Sequence, residues 1–161
     1  LVSPPSRHQS VAILAQGLPV LGGRAGSVEI KGTPCHLPHK LCGAEIIWLD
    51  SWCLSRLFTA MDIPPCRVLD LGSGMGLASV TTAKLGHNVT AVDVDPSSFR
   101  ALMHNSMRNG VRLAAGRWNL TQVMPPSIRS RGPFDVGIFT MTLATFISRG
   151  DNLPPDSSLH I

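Results

Sequence analysis

The chain has 161 residues, of which 43% are apolar and 15% charged, with a formal net charge of +4. That balance suits one folded domain with a real core and excludes a disordered polyelectrolyte. The positive charge forms no dense basic block, so nothing singles out nucleic acid as a partner, and no apolar run is long enough to span a membrane.

Residues 1–40 are rich in Pro and Gly and weakly periodic, and read as an irregular N-terminal segment with one short strand at Val28-Glu29-Ile30. Arg7, Arg24 and several serines without an acid in residues 1–27 resemble an organelle-targeting remnant; a frayed polar start is the simpler reading. Of the four cysteines, Cys35 and Cys42 flank His36 and His39, but no C-x-x-C pair occurs with Cys53 or Cys66. Reduced structural thiols, and no metal, are the default for that pattern.

The first strong helix is predicted over residues 44–60, with Ile46, Leu49, Cys53, Leu57 and Ala60 as one apolar stripe, closed by Pro64-Pro65. Strands and helices then alternate. Strand one is expected at 67–71, a helix at 76–85 ended by Gly86, and strand two at 88–93. Asp95 can cap the next helix with Pro96 in its first position, and Phe99, Leu102, Met103 and Ser106 share a face ahead of Gly110. Strand three is expected at 111–115, a loop at 124–133 and strand four at 134–139. This is the pattern of an α/β fold, a Rossmann-like doubly wound and mostly parallel sheet. The expected organisation is a binding domain over 41–147, running out after the fourth strand, and a disordered tail over 148–161.

The segment Val68-Leu69-Asp70-Leu71-Gly72-Ser73-Gly74-Met75-Gly76-Leu77 carries the chemistry. Gly72, Gly74 and Gly76 let backbone pass close to a ligand at the carboxyl ends of the strands. Asp93, ending strand two, can accept hydrogen bonds from ribose hydroxyls. The dinucleotide fingerprint Gly-x-Gly-x-x-Gly fails because its third glycine would fall at Leu77. Asp70 would also set negative charge near a pyrophosphate, whereas it suits a ligand with an ammonium and a sulfonium. No Gly-Lys-Ser/Thr follows, so the phosphate-loop pattern fails as well. S-adenosylmethionine is the ligand these residues favour. A strand, turn and helix that bind nothing is the bland alternative, and a nicotinamide-dependent oxidoreductase is disfavoured by Asp70 and Leu77.

Val68 to Gly76 and Val89 to Pro96 resemble the first motif and following acid of the seven-strand S-adenosylmethionine methyltransferases. Within them the chain looks like the methyltransferase-like protein-lysine group, with the ribosomal-protein L11 methyltransferases second. Ala83 to Thr90, Asn105 with Asn109-Gly110-Val111, Trp48 with Leu54 to Leu57, and Trp118 carry that finer likeness over residues 43–140. The resemblance implies that Asp70 and the backbone of Gly72 and Gly74 face the methionine part of the cofactor, with Ser73, Gly76 and Val94 completing the cofactor-binding set. It implies that Asp93 holds the ribose, that residues near Trp118 lie beside the adenine, and that Trp48 helps close the pocket. Both tryptophans read equally well as packing residues. Asp95 reads as a helix cap and Asp50 as a solvated helix residue.

The pattern also breaks. Arg117 precedes Trp118 where the lysine group has an acid, with Asn119 as a weak substitute, and Thr140-Met141-Thr142-Leu143 lacks the acid and aromatic of that group. Tyrosine, used in several methyl-transfer sites, is absent. No catalytic residue is therefore named, and Asp135 is expected to face away from the site. The expectation is a cytoplasmic (alternatively mitochondrial) S-adenosylmethionine-dependent methyltransferase acting on protein lysine, with no membrane or nucleic-acid partner and no assigned oligomeric state. The rival expectation is a truncated or inactive methyltransferase fold serving as a binding or assembly module.

Overall fold

The computed structural model describes residues 10–13, 28–31, 33–34, 46–47 and 49–139. Trp48, the Cys35/Cys42/His36/His39 group, Thr140 to Leu143 and the tail at 148–161 lie outside the described residues. In chain order the elements are β1 (Ser10–Ile13), β2 (Val28–Lys31), β3 (Thr33–Pro34), β4 (Ile46–Ile47), α1 (Leu49–Ala60), β5 (Arg67–Leu71) and α2 (Leu77–Lys84). They continue with β6 (Asn88–Asp93), α3 (Pro96–Arg108), β7 (Ala114–Arg117), α4 (Pro126–Arg129) and β8 (Val136–Phe139).

The main sheet has four described strands in the order β7-β6-β5-β8, and every pairing in it is parallel. β5 to β7 step outward one way, then β8 returns to the free side of β5. The strand order therefore reverses between β5 and β8, and such a switch point opens a crevice at the carboxyl ends of the strands. β1 and β2 form a separate antiparallel hairpin, and β3 pairs with β4 in parallel.

Strand alternation sorts the core into two faces. Val68 and Val89 point to the side of α1 and α2, where they meet Phe58, Ala78 and Ile138. Leu69, Leu71 and Val92 point the other way and pack with Trp118 and Ile128 of the α4 side. A third cluster joins Val28 and Ile30 of β2 to Met75, Leu77 and Val80, with Ala101, Val111 and Leu113 against it. The hairpin thus lies over the start of α2.

β5 and β6 match their sequence-predicted spans, and α2 falls short of its predicted span by one residue at each end. Asp95 caps α3 by accepting from Ser97 N at 2.8 Å, with Pro96 at the first position. Ser97 Oγ also donates to Asp95 Oδ1 at 2.7 Å, and that bond, with the backbone one, holds the Asp95 carboxyl below the usual carboxylate range.

Six expectations need correction. The helix predicted from residue 44 begins at Leu49, and Ile46 sits in β4. Its predicted apolar stripe is not the buried face either: Cys53, Leu57 and Ala60 are exposed, while Ser51, Ser55, Phe58 and Thr59 are buried. Ser55 Oγ donates to Ser51 O (2.7 Å) and Thr59 Oγ1 to Ser55 O (2.8 Å), so these hydroxyls enter the α1–α2 interface already satisfied. Small side chains then let the two helices approach closely. Strand three runs over 114–117, not 111–115, because Val111 and Leu113 serve the core ahead of the strand. Phe99 is half-exposed and does not share the buried face of Leu102 and Ser106. The predicted 124–133 loop contains α4, and strand four starts at Val136 because Phe134 is taken into the core and Asp135 bonds to Arg67.

Candidate functional site

β5 delivers the glycine turn to the reversal point. Gly72, Gly74 and Gly76 all have positive φ (76°, 51° and 83°), a region that costs any residue with a Cβ. Their surroundings differ. A Cβ on Gly74 would meet nothing within 4 Å, whereas one on Gly76 would lie 2.1 Å from Leu102 Cδ1. Gly74 therefore borders open space, and Gly76 is a glycine because α3 packs against it.

The turn is bonded to the end of β6. Gly72 N and Ser73 N both donate to Val92 O (2.9 and 3.0 Å), and Gly76 N donates to Ser73 O (2.8 Å). Gly74 N donates to Asp93 Oδ2 (2.8 Å), and Asp95 N donates to Asp93 Oδ1 (2.9 Å). Each Asp93 oxygen holds one backbone N–H and keeps a lone pair for a further donor. Asp93 and Gly74, predicted from sequence as separate site residues, are in direct contact. Val94 follows with its side chain half-exposed.

Asp70 is fully buried beneath the turn. Ser79 Oγ of α2 donates to its Oδ2, while its Oδ1 has no partner. Burial pushes the Asp70 carboxyl up to about 6, the Ser79 bond pulls it down, and the nearby Asp93 charge raises it further. The orphaned Oδ1 of this buried carboxylate lacks a positive or hydrogen-bonding partner. An ammonium-bearing ligand in the turn fits that deficit, and a pyrophosphate does not. Ser73 is buried as well.

Trp118 follows β7, and its N–H donates to Asp93 O at 3.1 Å. Its indole is buried with Leu69, Leu71 and Val92, and its Nε1 donates to Gln122 O at 3.0 Å. The packing alternative thus describes its side chain, although its backbone abuts the site. Arg117 Nε donates to Val94 O at 3.1 Å and ties β7 to the segment after Asp93. Asp135 lies at the opposite end of the sheet, with its Oδ2 accepting from Arg67 N at 2.8 Å.

Three residues escaped sequence reasoning as site components. Ser79 partners Asp70, Leu102 packs on Gly76, and Asn105 donates to Met75 O. Only the position of Asn105, four residues before Asn109-Gly110, carried a sequence signal. Among the described residues, no group of three or more His, Cys, Asp or Glu gathers for a metal, and no helix is long and apolar enough to cross a membrane.

Against known proteins, residues 49–149 match the family model described as ribosomal protein L11 methyltransferase (PrmA). The chain belongs to the ribosomal protein L11 methyltransferase family. This is the group that stood second in the sequence resemblance. The chain is 35% identical over 81 residues to the ribosomal protein L11 methyltransferase of Chromohalobacter salexigens, covering 50% of this chain and 23% of that protein. It is 37% identical over 73 residues to the one from Thermus thermophilus, covering 45% and 27%. The chain thus spans about a quarter of the length of these curated relatives. In fold it is similar to the S-adenosylmethionine-dependent methyltransferase structure from Agrobacterium tumefaciens, with a TM-score of 0.55 at 17% identity over 83% of this chain and 39% of that one.

Proposed function

We propose that this chain holds S-adenosylmethionine as part of a methyltransferase that modifies lysine on a protein substrate. The observation that carries the reading is the orphaned oxygen of buried Asp70 under a glycine turn, with Asp93 at the end of the neighbouring strand. Family membership supports the reaction class, and the relatives' description as ribosomal protein methyltransferases supports a protein acceptor.

In this reading Asp70 faces the ligand ammonium, and Gly72, Ser73 and Gly74 line its methionine part. Asp93 takes the ribose hydroxyls, while Val94 and the backbone at Trp118 border the adenine. Gly76 shapes the turn through Leu102. Trp48, outside the described residues, completes the candidate set. The bound sulfonium supplies an activated methyl group, and the chain's task is to orient it and exclude water. We assign this role to residues 41–147. The unpaired thiols of Cys53 and Cys66 are in keeping with a cytoplasmic protein.

Calorimetric titration of the folded chain with S-adenosylhomocysteine tests the reading. Saturable binding is expected, weakened at least about tenfold in Asp93→Ala, since hydrogen bonds to a charged group contribute about 1.5–3 kcal/mol. No binding to well-folded protein would sink it. Transfer of labelled methyl to a lysate protein, lost in the same variant, tests the acceptor class.

A further inference from the structure

The apex of the glycine turn is held from two directions that do not involve a ligand. The Met75 side chain is buried with Val28 and Ile30 of the hairpin. Its carbonyl oxygen accepts from Asn105 Nδ2 at 2.9 Å, across 30 residues of chain. Asn105 is wholly buried in α3, and one turn earlier Leu102 fills the space that a side chain on Gly76 would need. Asn109 continues the arrangement, its Nδ2 donating to Asn105 O at 2.8 Å.

We infer that Asn105 is a positioning residue for the turn: by holding Met75 O it fixes Gly74 and Gly76 in their left-handed conformations and so sets the affinity for the ligand. The inference rests on the S-adenosylmethionine reading for its ligand half alone. The geometry of the clamp stands without it. A carbonyl at a turn apex has few partners that hold it in one orientation. A buried primary amide can do so because its planar N–H pair is directional and its rotamer is fixed by the helix around it. Losing that donor leaves Met75 O buried and unpaired, and the turn gains freedom to rotate its peptide planes. Asn105 touches no reacting atom in this scheme and acts through the turn.

Asn105→Asp keeps the shape and removes the donor, and Asn105→Ala is the fallback if Asp at that buried position prevents folding. Phe58→Leu, in the cluster on the α1 side, is a control for general loss of stability. Two readouts apply to each protein: amide hydrogen exchange of residues 72–76 against residues 136–139 without ligand, and the Kd for S-adenosylhomocysteine well below the unfolding temperature. The expected result is exchange at the turn about tenfold faster with β8 unchanged, together with binding about tenfold weaker, while Phe58→Leu alters neither selectively. Exchange that rises equally in the turn and β8, or a loosened turn with unaltered Kd, would overturn the inference. Failure of the unmutated chain to bind defeats the ligand reading itself. The exchange comparison then decides the clamp alone.

Discussion

The two ends of the sheet hold similar chemistry and differ in how it is satisfied. At the amino end Cys66 N and Cys66 Sγ both approach His87 Nδ1 (3.3 and 3.2 Å), Arg67 N donates to Asp135 Oδ2, and Asp135 N donates to Arg67 O. Every one of these groups finds a partner within the protein. The carboxyl end has two acids instead. One is buried with an orphaned oxygen, and the other is capped by backbone N–H groups in front of an open glycine. A count of titratable residues would not separate the ends. An orphaned carboxylate oxygen does: among the described residues the other buried side-chain atoms without a partner are the uncharged hydroxyls of Thr81 and Thr82 in α2, so the unmet charge lies at the carboxyl end.

The largest expected effect comes from breaking the carboxyl end at its packed glycine. Gly76→Ala combines left-handed strain with a clash on Leu102 and should cost about 3–5 kcal/mol in urea unfolding. Gly74→Ala carries the strain alone and should cost about 1 kcal/mol, its main penalty falling on ligand affinity. Equal losses at both glycines would contradict the division of labour between them.

Asp70 offers the next largest effect, with opposite sign. Its folded carboxyl is raised from 3.8 to about 6, so the contribution it makes to stability is present below pH 3.8 and is lost as pH rises through about 6. Asp70→Asn should therefore stabilise the protein by up to about 3 kcal/mol at pH 7.5 and by little near pH 4. Paired urea titrations at the two pH values read this directly, and a variant no more stable than its parent at pH 7.5 would remove the case for an unmet carboxylate. The same change at the amino end, Asp135→Asn, should instead destabilise by about 1 kcal/mol, because that acid holds Arg67 N. Acid-to-amide changes of like sign at both ends would dissolve the comparison.

The smallest effect concerns His87, whose ring is buried and held below its ordinary titration range by that burial. Its Nδ1 accepts from Cys66 N, which requires the neutral ring. The unfolded chain takes up a proton first as pH falls below 6.5, so this site loses stability toward acid. His87→Gln should flatten the decline in urea midpoint between pH 7.5 and 5 relative to the parent. Burial, with a further push from Asp135, raises the Cys66 thiol, so the Cys66–His87 pair stays uncharged.

The parts legible from sequence were those where local pattern and tertiary role agree. β5 and β6 carry apolar residues on both faces (Val68, Leu69 and Leu71; Val89, Ala91 and Val92) because both faces are covered, and Gly86, Asp95 and Pro96 mark helix ends by their own backbone chemistry. Periodicity misreads the α1 face because it weighs hydrophobicity, whereas the helix packs through Ser51, Ser55 and Thr59, and the Ser55 and Thr59 hydroxyls are satisfied along their own backbone. Sequence places strand three early because Val111 and Leu113 look like strand residues but are a partly buried lead-in packed on the core. At the site, Asp70, Gly74 and Asp93 were visible through spacing. Ser79 and Asn105 were not identified as site components, since a buried polar residue inside a helix looks, in one sequence, like any solvated one.

Met75 lies in the middle of the turn, yet its side chain belongs to the layer beneath the hairpin. The side chain in that slot is thus fitted to the cover on the helices. Across related chains, size changes at this position should track changes in whatever lies over α2. This position of the motif then becomes a gauge of the neighbouring architecture, readable without any structure of those chains.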